Sequence, residues 1–296
     1  MGLFTKKDPC AICGGKVKGL LSWKIEGKYI CDDCYGVVDV QERTSDWTLE
    51  EFQQYRAFRE SCQPLRDQFQ ITDEIDLGFF NKKLYFDTVH HLMTFDRSLR
   101  GTIFEGKNIR SFRITEDSAP LFEGTAAGVT SHESAIPQRV HDMLPLINQY
   151  RMNLEMRRTM ENLNEALGKE QNNPIKEIRL PKPVDKFFVE IKFDHPYWNE
   201  FKADRTIADF DRDDPNPEEY LRRYHDDAQL MANLSRCLAA VVCPGKPEKV
   251  VSASGKTASA SASDPVAEIQ RFKELLDQGI LTEEEFAAKK RQLLGL

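Results

Sequence analysis

Two pairs of closely spaced cysteines near the start of the chain constrain its fold more than any other feature. Residues 10–13 read Cys-Ala-Ile-Cys and residues 31–34 read Cys-Asp-Asp-Cys. Two C-x-x-C turns at this separation match a four-thiolate zinc pattern, in which each turn supplies two sulfur ligands. The sequence therefore predicts one structural Zn²⁺, with these ligands: Cys10, Cys13, Cys31 and Cys34.

The residues around the cysteines predict a zinc ribbon. Gly14, Gly15 and Gly36 allow tight turns beside a metal, and Glu26-Gly27 separates two short apolar segments, as in a β-hairpin. A redox dithiol is the alternative, but the flanking residues lack the βαβ pattern that accompanies one. Because four cysteines saturate the metal, we expect the ion to hold a small segment together and not to activate water.

The cysteines and their neighbouring glycines resemble the small zinc-ribbon domain DUF4428, found at the N-terminus of many uncharacterised bacterial proteins. The resemblance implies a metal and a fold but no activity. We place this domain at residues 1–40 and a connecting helix at 41–70. Thr48 and Glu51 have the spacing of a capping box, and Pro64 is expected to end or kink the helix. The helix is interpreted as a connector packed on its neighbour, with partner binding as the alternative.

Residues 71–243 predict an α+β domain. Short strands are expected at residues 84–87, 91–95, 101–106, 109–114 and 187–193, with a further strand around Ile178 and Leu180. In the strand at 187–193, apolar and polar residues alternate cleanly. Asn216 and Pro217 are expected to begin a long amphipathic helix that ends near residue 243.

This order of elements resembles a pleckstrin-homology-like (PH-like) domain over residues 71–118 and 175–243. The resemblance implies a bent antiparallel sheet closed at one end by the last helix. A helical insertion is predicted at residues 119–174, with a flexible loop at 123–131 and then a long helix that Pro145 kinks or divides. The apolar stripe of this helix is interpreted as core, and a surface for self-association or partner binding is the alternative.

The end of the chain predicts a linker and a small helical module. Residues 244–264 are rich in Ser and Ala and are expected to be disordered. Residues 265–296 predict a two-helix hairpin and resemble the short C-terminal domain SHOCT, through the sequence Leu-Asp-Gln-Gly-Ile-Leu-Thr-Glu-Glu-Glu-Phe. The family implies roles in assembly or nucleic-acid contact. A hairpin this small buries little surface, so we expect it to bind a partner or another copy.

The chain contains only weak candidates for an active site, and we expect no enzyme activity and no small-molecule substrate. The sequence has no phosphate loop, dinucleotide fingerprint, nucleophile elbow or zinc-protease motif. An acidic run at residues 209–214 lacks the glycine and the final glutamate of a calcium loop. The histidines considered as ligands, with their acidic neighbours, are His90, His91 with Asp87, His132 with Glu133, and His195.

Composition limits the possible partners and compartment. The net charge of −7 argues against nucleic acid as the main partner. There is no signal-peptide pattern and no apolar run long enough to span a membrane, and the other three cysteines suit reduced thiols in the cytoplasm. We predict a cytoplasmic, non-enzymatic zinc-binding scaffold that self-assembles or binds a protein partner. The alternatives are a nucleic-acid-associated regulator and a membrane-surface binder acting through the PH-like region.

Overall fold

The computed structural model describes residues 8–18, 22–40, 44–78, 83–168, 178–251 and 257–259, and the structural statements below refer to these residues. The α-helices are α1 (Asp32–Tyr35), α2 (Leu49–Ser61), α3 (Gln63–Gln68), α4 (Ile136–Asp142), α5 (Leu144–Ala166) and α6 (Pro217–Val242). The strands are β1 (Trp23–Ile25), β2 (Lys28–Ile30), β3 (Asp73–Asp76), β4 (Lys83–Asp87), β5 (Leu92–Thr94), β6 (Ile103–Glu105), β7 (Ile109–Glu116), β8 (Ala119–Thr125), β9 (Gly128–His132), β10 (Lys186–His195), β11 (Trp198–Thr206), β12 (Glu248–Val251) and β13 (Thr257–Ser259). These elements confirm the α+β class.

The N-terminal segment is built on the antiparallel hairpin of β1 and β2, as the sequence predicts. Glu26 and Gly27 form its turn with φ angles of 52° and 74°, a conformation that glycine adopts without strain. Ile25 and Ile30 are fully buried, and Phe52 from α2 packs against them. The small core of this segment therefore includes a side chain from the following helix.

Helix α2 begins and ends where the sequence indicates. The Glu51 N–H donates to Thr48 Oγ1 at 3.2 Å, and the Thr48 N–H donates to Glu51 Oε2 at 2.7 Å, which confirms the capping box. The helix ends before Pro64, which lies in the first turn of α3. Phe52, Tyr55 and Arg59 are the buried residues of α2, so one face of the helix connects two parts of the chain.

Two sheets and helix α6 enclose the main core. The smaller sheet has the order β3-β4-β5-β6, and the larger sheet has the order β11-β10-β7-β8-β9-β12-β13. All neighbouring strands are antiparallel except β9 and β12, which are parallel. Helix α6 contacts strands of both sheets. Its predicted cap is confirmed, since Asn216 Oδ1 accepts the Glu218 N–H at 3.0 Å.

Strand β10 shows why alternation is a good signal. Phe187, Val189, Ile191 and Phe193 are buried, as predicted, while the residues between them are more exposed. The adjacent strand β11 is not predicted from the sequence. Only its Trp198 and Ala203 are buried, so its sequence lacks a clear apolar period.

The region predicted as a flexible loop at residues 123–131 is instead part of the larger sheet. Strand β8 pairs with β7, β9 pairs with β8, and Gly124 lies opposite Phe112. The predicted insertion at 119–174 therefore begins with two sheet strands, and its helical part starts at Ile136. The strand expected around Ile178 and Leu180 is also wrong, because these residues have no regular secondary structure.

The long helical stretch is divided near Pro145, which lies in the first turn of α5 and confirms that prediction. The interpretation of its stripe as core is wrong for most of the helix. Among the described residues, Ile147 is the buried residue of α5. The large apolar side chains that α5 exposes are Met152, Met156 and Leu163. No described helix combines the length and apolarity needed to cross a membrane.

The predicted disordered linker contains ordered backbone. Residues 248–251 form β12, in which Glu248 pairs with Val129 and Val251 pairs with His132. The prediction of disorder is therefore wrong for these residues, because their backbone groups extend the larger sheet. The helical hairpin predicted at residues 265–296 lies outside the described residues.

Candidate metal centre

The fold brings the four predicted cysteine ligands together. Their sulfur atoms all lie within 4.8 Å of one another, and Cys13 Sγ is 3.6 Å from Cys31 Sγ. With Zn–S bonds of about 2.3 Å, the sulfurs of a tetrahedral site are separated by about 3.8 Å. The cluster therefore has the dimensions of a four-thiolate metal site.

Local backbone structure places each pair of cysteines. In the first pair, the Gly14 N–H donates to the Cys10 carbonyl at 2.9 Å, and Gly14 has a φ of 69°. The second pair lies at the start of α1, where Cys31 precedes the helix and Cys34 lies within it. The Ala11 N–H donates to the Tyr29 carbonyl at 2.9 Å and ties the first turn to the hairpin.

Three N–H groups point at the sulfur atoms. The Gly15 N–H donates to Cys13 Sγ at 3.4 Å, and the Cys31 N–H donates to Cys10 Sγ at 3.3 Å. The Arg56 side chain donates from Nη1 to Cys34 Sγ at 3.5 Å. Donors arranged in this way stabilise thiolates, which are the forms that bind metal.

The cysteines differ in acidity because they share a small volume. Burial opposes a charge on Cys10, but the backbone N–H groups of Cys13, Cys31 and Ile12 outweigh it and lower its pKa to about 6. Burial and the neighbouring sulfurs raise the pKa of Cys34. Four thiolates this close together need a bound cation to compensate their charge. The donor set consists of sulfur alone, which suits a soft divalent metal.

The part of the chain that carries the four cysteines, residues 8–18 and 22–40, is called the metal-binding segment here after its predicted ligands. It is fixed to the sheets through Asp39, a connection that sequence reasoning missed. The Asp39 carboxylate accepts the Thr102 N–H at 2.5 Å, and its carbonyl accepts the Trp198 Nε1–H at 3.1 Å. The Tyr197 ring packs edge-on against Tyr55 of α2, with ring centroids 4.8 Å apart. Because Thr102 and Trp198 are 63 and 159 residues from Asp39 in sequence, local patterns could not reveal them.

The histidines considered as ligands in the sequence are not brought together into a site. His90 Nδ1 lies 2.7 Å from the buried Asp87 carboxylate, whereas His91 Nδ1 lies 2.7 Å from the Ala240 carbonyl. His132 ends β9, with its Nε2 3.3 Å from Glu123 Oε2. Each histidine therefore has a separate neighbour, as expected for residues that support the fold.

His195 and the acidic run at residues 209–214 make contacts typical of residues that stabilise the fold. His195 packs against aromatic rings, and its burial lowers its pKa to about 4. In the acidic run, the Asp211 carboxylate accepts the Asp213 and Asp214 N–H groups. Asp213 and Asp214 also lie near arginines of α5. Within the described ranges, the four cysteines are the group with the geometry of a metal site.

The fold and this cluster define a modular α+β protein whose N-terminal segment carries four cysteines with the dimensions of a metal site. The family model "Domain of unknown function (DUF4428)" matches residues 9–55, and the model "Short C-terminal domain" (SHOCT) matches residues 267–294. The resemblances to DUF4428 and SHOCT are thus confirmed, whereas neither match covers the region that resembles a PH-like domain. No curated protein and no solved structure matches the chain.

The first match extends beyond residue 40, the end of the segment predicted from the sequence, into helix α2. The structure offers a reason, because Phe52 of α2 packs against Trp47 and against Tyr35, which lies beside the second cysteine pair. The core of the metal-binding segment is completed by the helix that follows it.

Proposed function

We propose that this chain is a non-enzymatic, cytoplasmic scaffold protein, in which one structural Zn²⁺ supports the N-terminal segment and other modules mediate assembly. The four ligands are Cys10, Cys13, Cys31 and Cys34. Their all-sulfur environment supports zinc over harder cations. A metal saturated by four thiolates has no open position for water, which supports a structural role.

The exposed face of α5 is the observation that carries the assembly proposal. Met152 and Met156 are 62% and 51% exposed, and Leu163 is 50% exposed. These residues follow one another at helical spacing and form what we call the α5 stripe. Flexible methionine side chains suit surfaces that bind other proteins. The SHOCT match at residues 267–294 adds a second module suited to interactions.

The assembly proposal is tested by analytical ultracentrifugation of the full chain near its cellular concentration. We expect self-association that weakens at least about tenfold when Met152→Gln and Met156→Gln are combined, because the apolar area of the contact is lost. The matched control is Glu165→Gln, an exposed change on the same helix that leaves the α5 stripe intact. Removal of residues 265–296 tests the C-terminal module separately.

Three outcomes would contradict the assembly proposal or part of it. A full chain that is monomeric at all concentrations would exclude self-association through either module. An unchanged association constant after removal of residues 265–296 would exclude the C-terminal module. An unchanged association constant in the double methionine variant would exclude the α5 stripe alone.

We also propose that the sheet region is PH-like. In support, a four-stranded antiparallel sheet is followed by a second sheet, and α6 contacts strands of both. The chain departs from that pattern in α4 and α5, which are inserted between β9 and β10, and in β12 and β13, which follow α6. Membrane-surface binding through this region is the corresponding second function, and vesicle sedimentation tests it.

A further inference from the structure

A cavity rich in arginine lies where the second cysteine turn meets α2, α3 and the loop between β5 and β6. Its volume is about 470 Å³. Four arginines line it, together with one carboxylate, Glu60, so the wall has an excess of three positive charges. The arginines are Arg56, Arg59, Arg66 and Arg100.

Arg59 is the most unusual of these residues because it is buried and makes no direct ion pair within the described part of the chain. Only 4% of its surface is exposed. Its two Nη groups donate to neutral acceptors, Thr102 Oγ1 at 2.9 Å and the Arg100 carbonyl. Its Nε has no hydrogen-bond partner among the described residues. The Asp39 carboxylate lies one hydrogen bond further on, where it accepts the Thr102 N–H at 2.5 Å. A buried cation in this state is unfavourable unless a counter-charge is supplied.

The other arginines increase the positive charge. Arg66 Nε is buried and has no described partner, and its Nη1 donates to the neutral Gln63 side chain at 3.2 Å. Burial, with a contribution from the positive charge of Arg59, lowers the pKa of Arg66. Arg56 donates to Cys34 Sγ at 3.5 Å and lies 3.9 Å from the Glu60 carboxylate.

We propose that this cavity binds the phosphate group of a small ligand. Arginine presents planar pairs of N–H donors that match phosphate oxygens, and several arginines together favour a dianion over a single carboxylate. The volume falls within the range of about 300–1,000 Å³ that is typical of small-molecule sites. The proposed assembly function neither requires this ligand nor predicts it.

Binding at this position would strengthen the joint between the metal-binding segment and the sheets. Arg56 reaches Cys34 Sγ on one side of the cavity, and Arg59 reaches Thr102 on the other. An anion between these arginines would accept charge-assisted hydrogen bonds from both of them. Because the anion binds the folded chain, it also stabilises that chain against unfolding.

The test is isothermal titration of inorganic phosphate into the full chain at constant ionic strength and near-neutral pH. We expect saturable binding of one phosphate. Arg66→Gln and Arg100→Gln should each weaken the affinity about tenfold, the cost of one charged hydrogen bond. The matched control is Arg97→Gln, which removes an exposed arginine of the same loop that pairs with Glu74 outside the cavity. Arg97→Gln should leave the affinity unchanged.

Glycerol 3-phosphate distinguishes the source of the phosphate group. Tighter binding than inorganic phosphate indicates that the cavity also holds an organic moiety, and equal binding indicates free phosphate. The proposal is overturned if phosphate produces no more heat than chloride at equal ionic strength. It is also overturned if both cavity variants keep wild-type affinity while circular dichroism and metal content show that they are folded.

Discussion

The side chain of Tyr55 joins the metal-binding segment to helix α2. Its hydroxyl accepts the Asp39 N–H at 2.8 Å and donates to the Val37 carbonyl at 3.0 Å. The ring is fully buried, and burial raises the pKa of the hydroxyl to about 12, so Tyr55 remains a neutral donor near neutral pH. A single atom therefore satisfies backbone groups that no regular secondary structure pairs.

Tyr55→Phe removes these hydrogen bonds while keeping the ring. We expect the free energy of unfolding to decrease by about 1–2 kcal/mol, because a partly buried N–H and a partly buried carbonyl lose their partner. Urea denaturation measures the change. The control Tyr150→Phe, which removes an exposed hydroxyl bonded to the Arg212 carbonyl, should cost less than about 0.5 kcal/mol. Equal effects of the two substitutions would contradict the role assigned to Tyr55.

The lowered pKa of His195 predicts that the stability of the fold depends on pH. Burial, with a contribution from the Arg59 charge, lowers its pKa from 6.5 to about 4. The unfolded chain therefore binds more protons between these values, so stability falls as the pH decreases from 6.5 to about 4. His195→Asn keeps an acceptor for the Tyr197 N–H but cannot titrate, and it should flatten this part of the urea-midpoint curve. An identical slope in wild type and variant would refute the assignment.

At the scale of elements, the pairing of β7 with β8 requires glycine at position 124. A Cβ atom built on Gly124 would lie 2.1 Å from the ring of Phe112, the residue with which Gly124 pairs across the two strands. Glycine here thus reflects close packing and not a flexible loop. The sequence alone does not distinguish these meanings, which is why it predicts a loop at residues 123–131.

Gly124→Ala should therefore destabilise the larger sheet. We expect a loss of about 1–3 kcal/mol, the usual cost of overpacking a core. Thermal denaturation measures it. Ala126→Ser, in the exposed turn two residues further on, is the control and should change stability by less than about 0.5 kcal/mol. An unchanged melting temperature for Gly124→Ala would show that Phe112 can move aside.

Elements with strong local signals were predictable, and those defined by distant contacts were not. Short stretches of sequence are enough to predict the capping box of Thr48 and Glu51, the alternation of apolar and polar residues in β10, and the helix cap at Asn216. The apolar period of α5 indicated an amphipathic helix, but a period does not say what covers its apolar face. Likewise, four cysteines can be recognised by spacing, whereas the arginine cavity is assembled from three separate parts of the chain.

At the scale of the whole molecule, the metal-binding segment and the sheets are joined but have separate cores. Ile25 and Ile30 belong to one cluster, and Val189 and Ile191 belong to another. Hydrogen bonds of Asp39 and Arg59 connect the two parts. We expect a core as small as the first to depend on a bound metal, whereas the second is large enough to persist without one.

Metal removal by a chelator should therefore loosen only one part of the protein. In hydrogen exchange, we expect the amides of Ile25 and Ile30 to lose protection while those of Val189 and Ile191 keep theirs. Restored protection after zinc is added back controls for irreversible damage. A uniform loss across both parts, or no loss in either, would contradict separate cores.

The most direct test of the central claim is the metal content of the purified full chain, measured by native mass spectrometry. We predict one zinc ion per wild-type chain and a loss of at least about half of it in Cys31→Ser, because three thiolates bind zinc more weakly than four. Cys62→Ser, a buried cysteine outside the cluster, should retain the full zinc content. Wild-type protein without zinc, or equal zinc in wild type and Cys31→Ser, would contradict the claim.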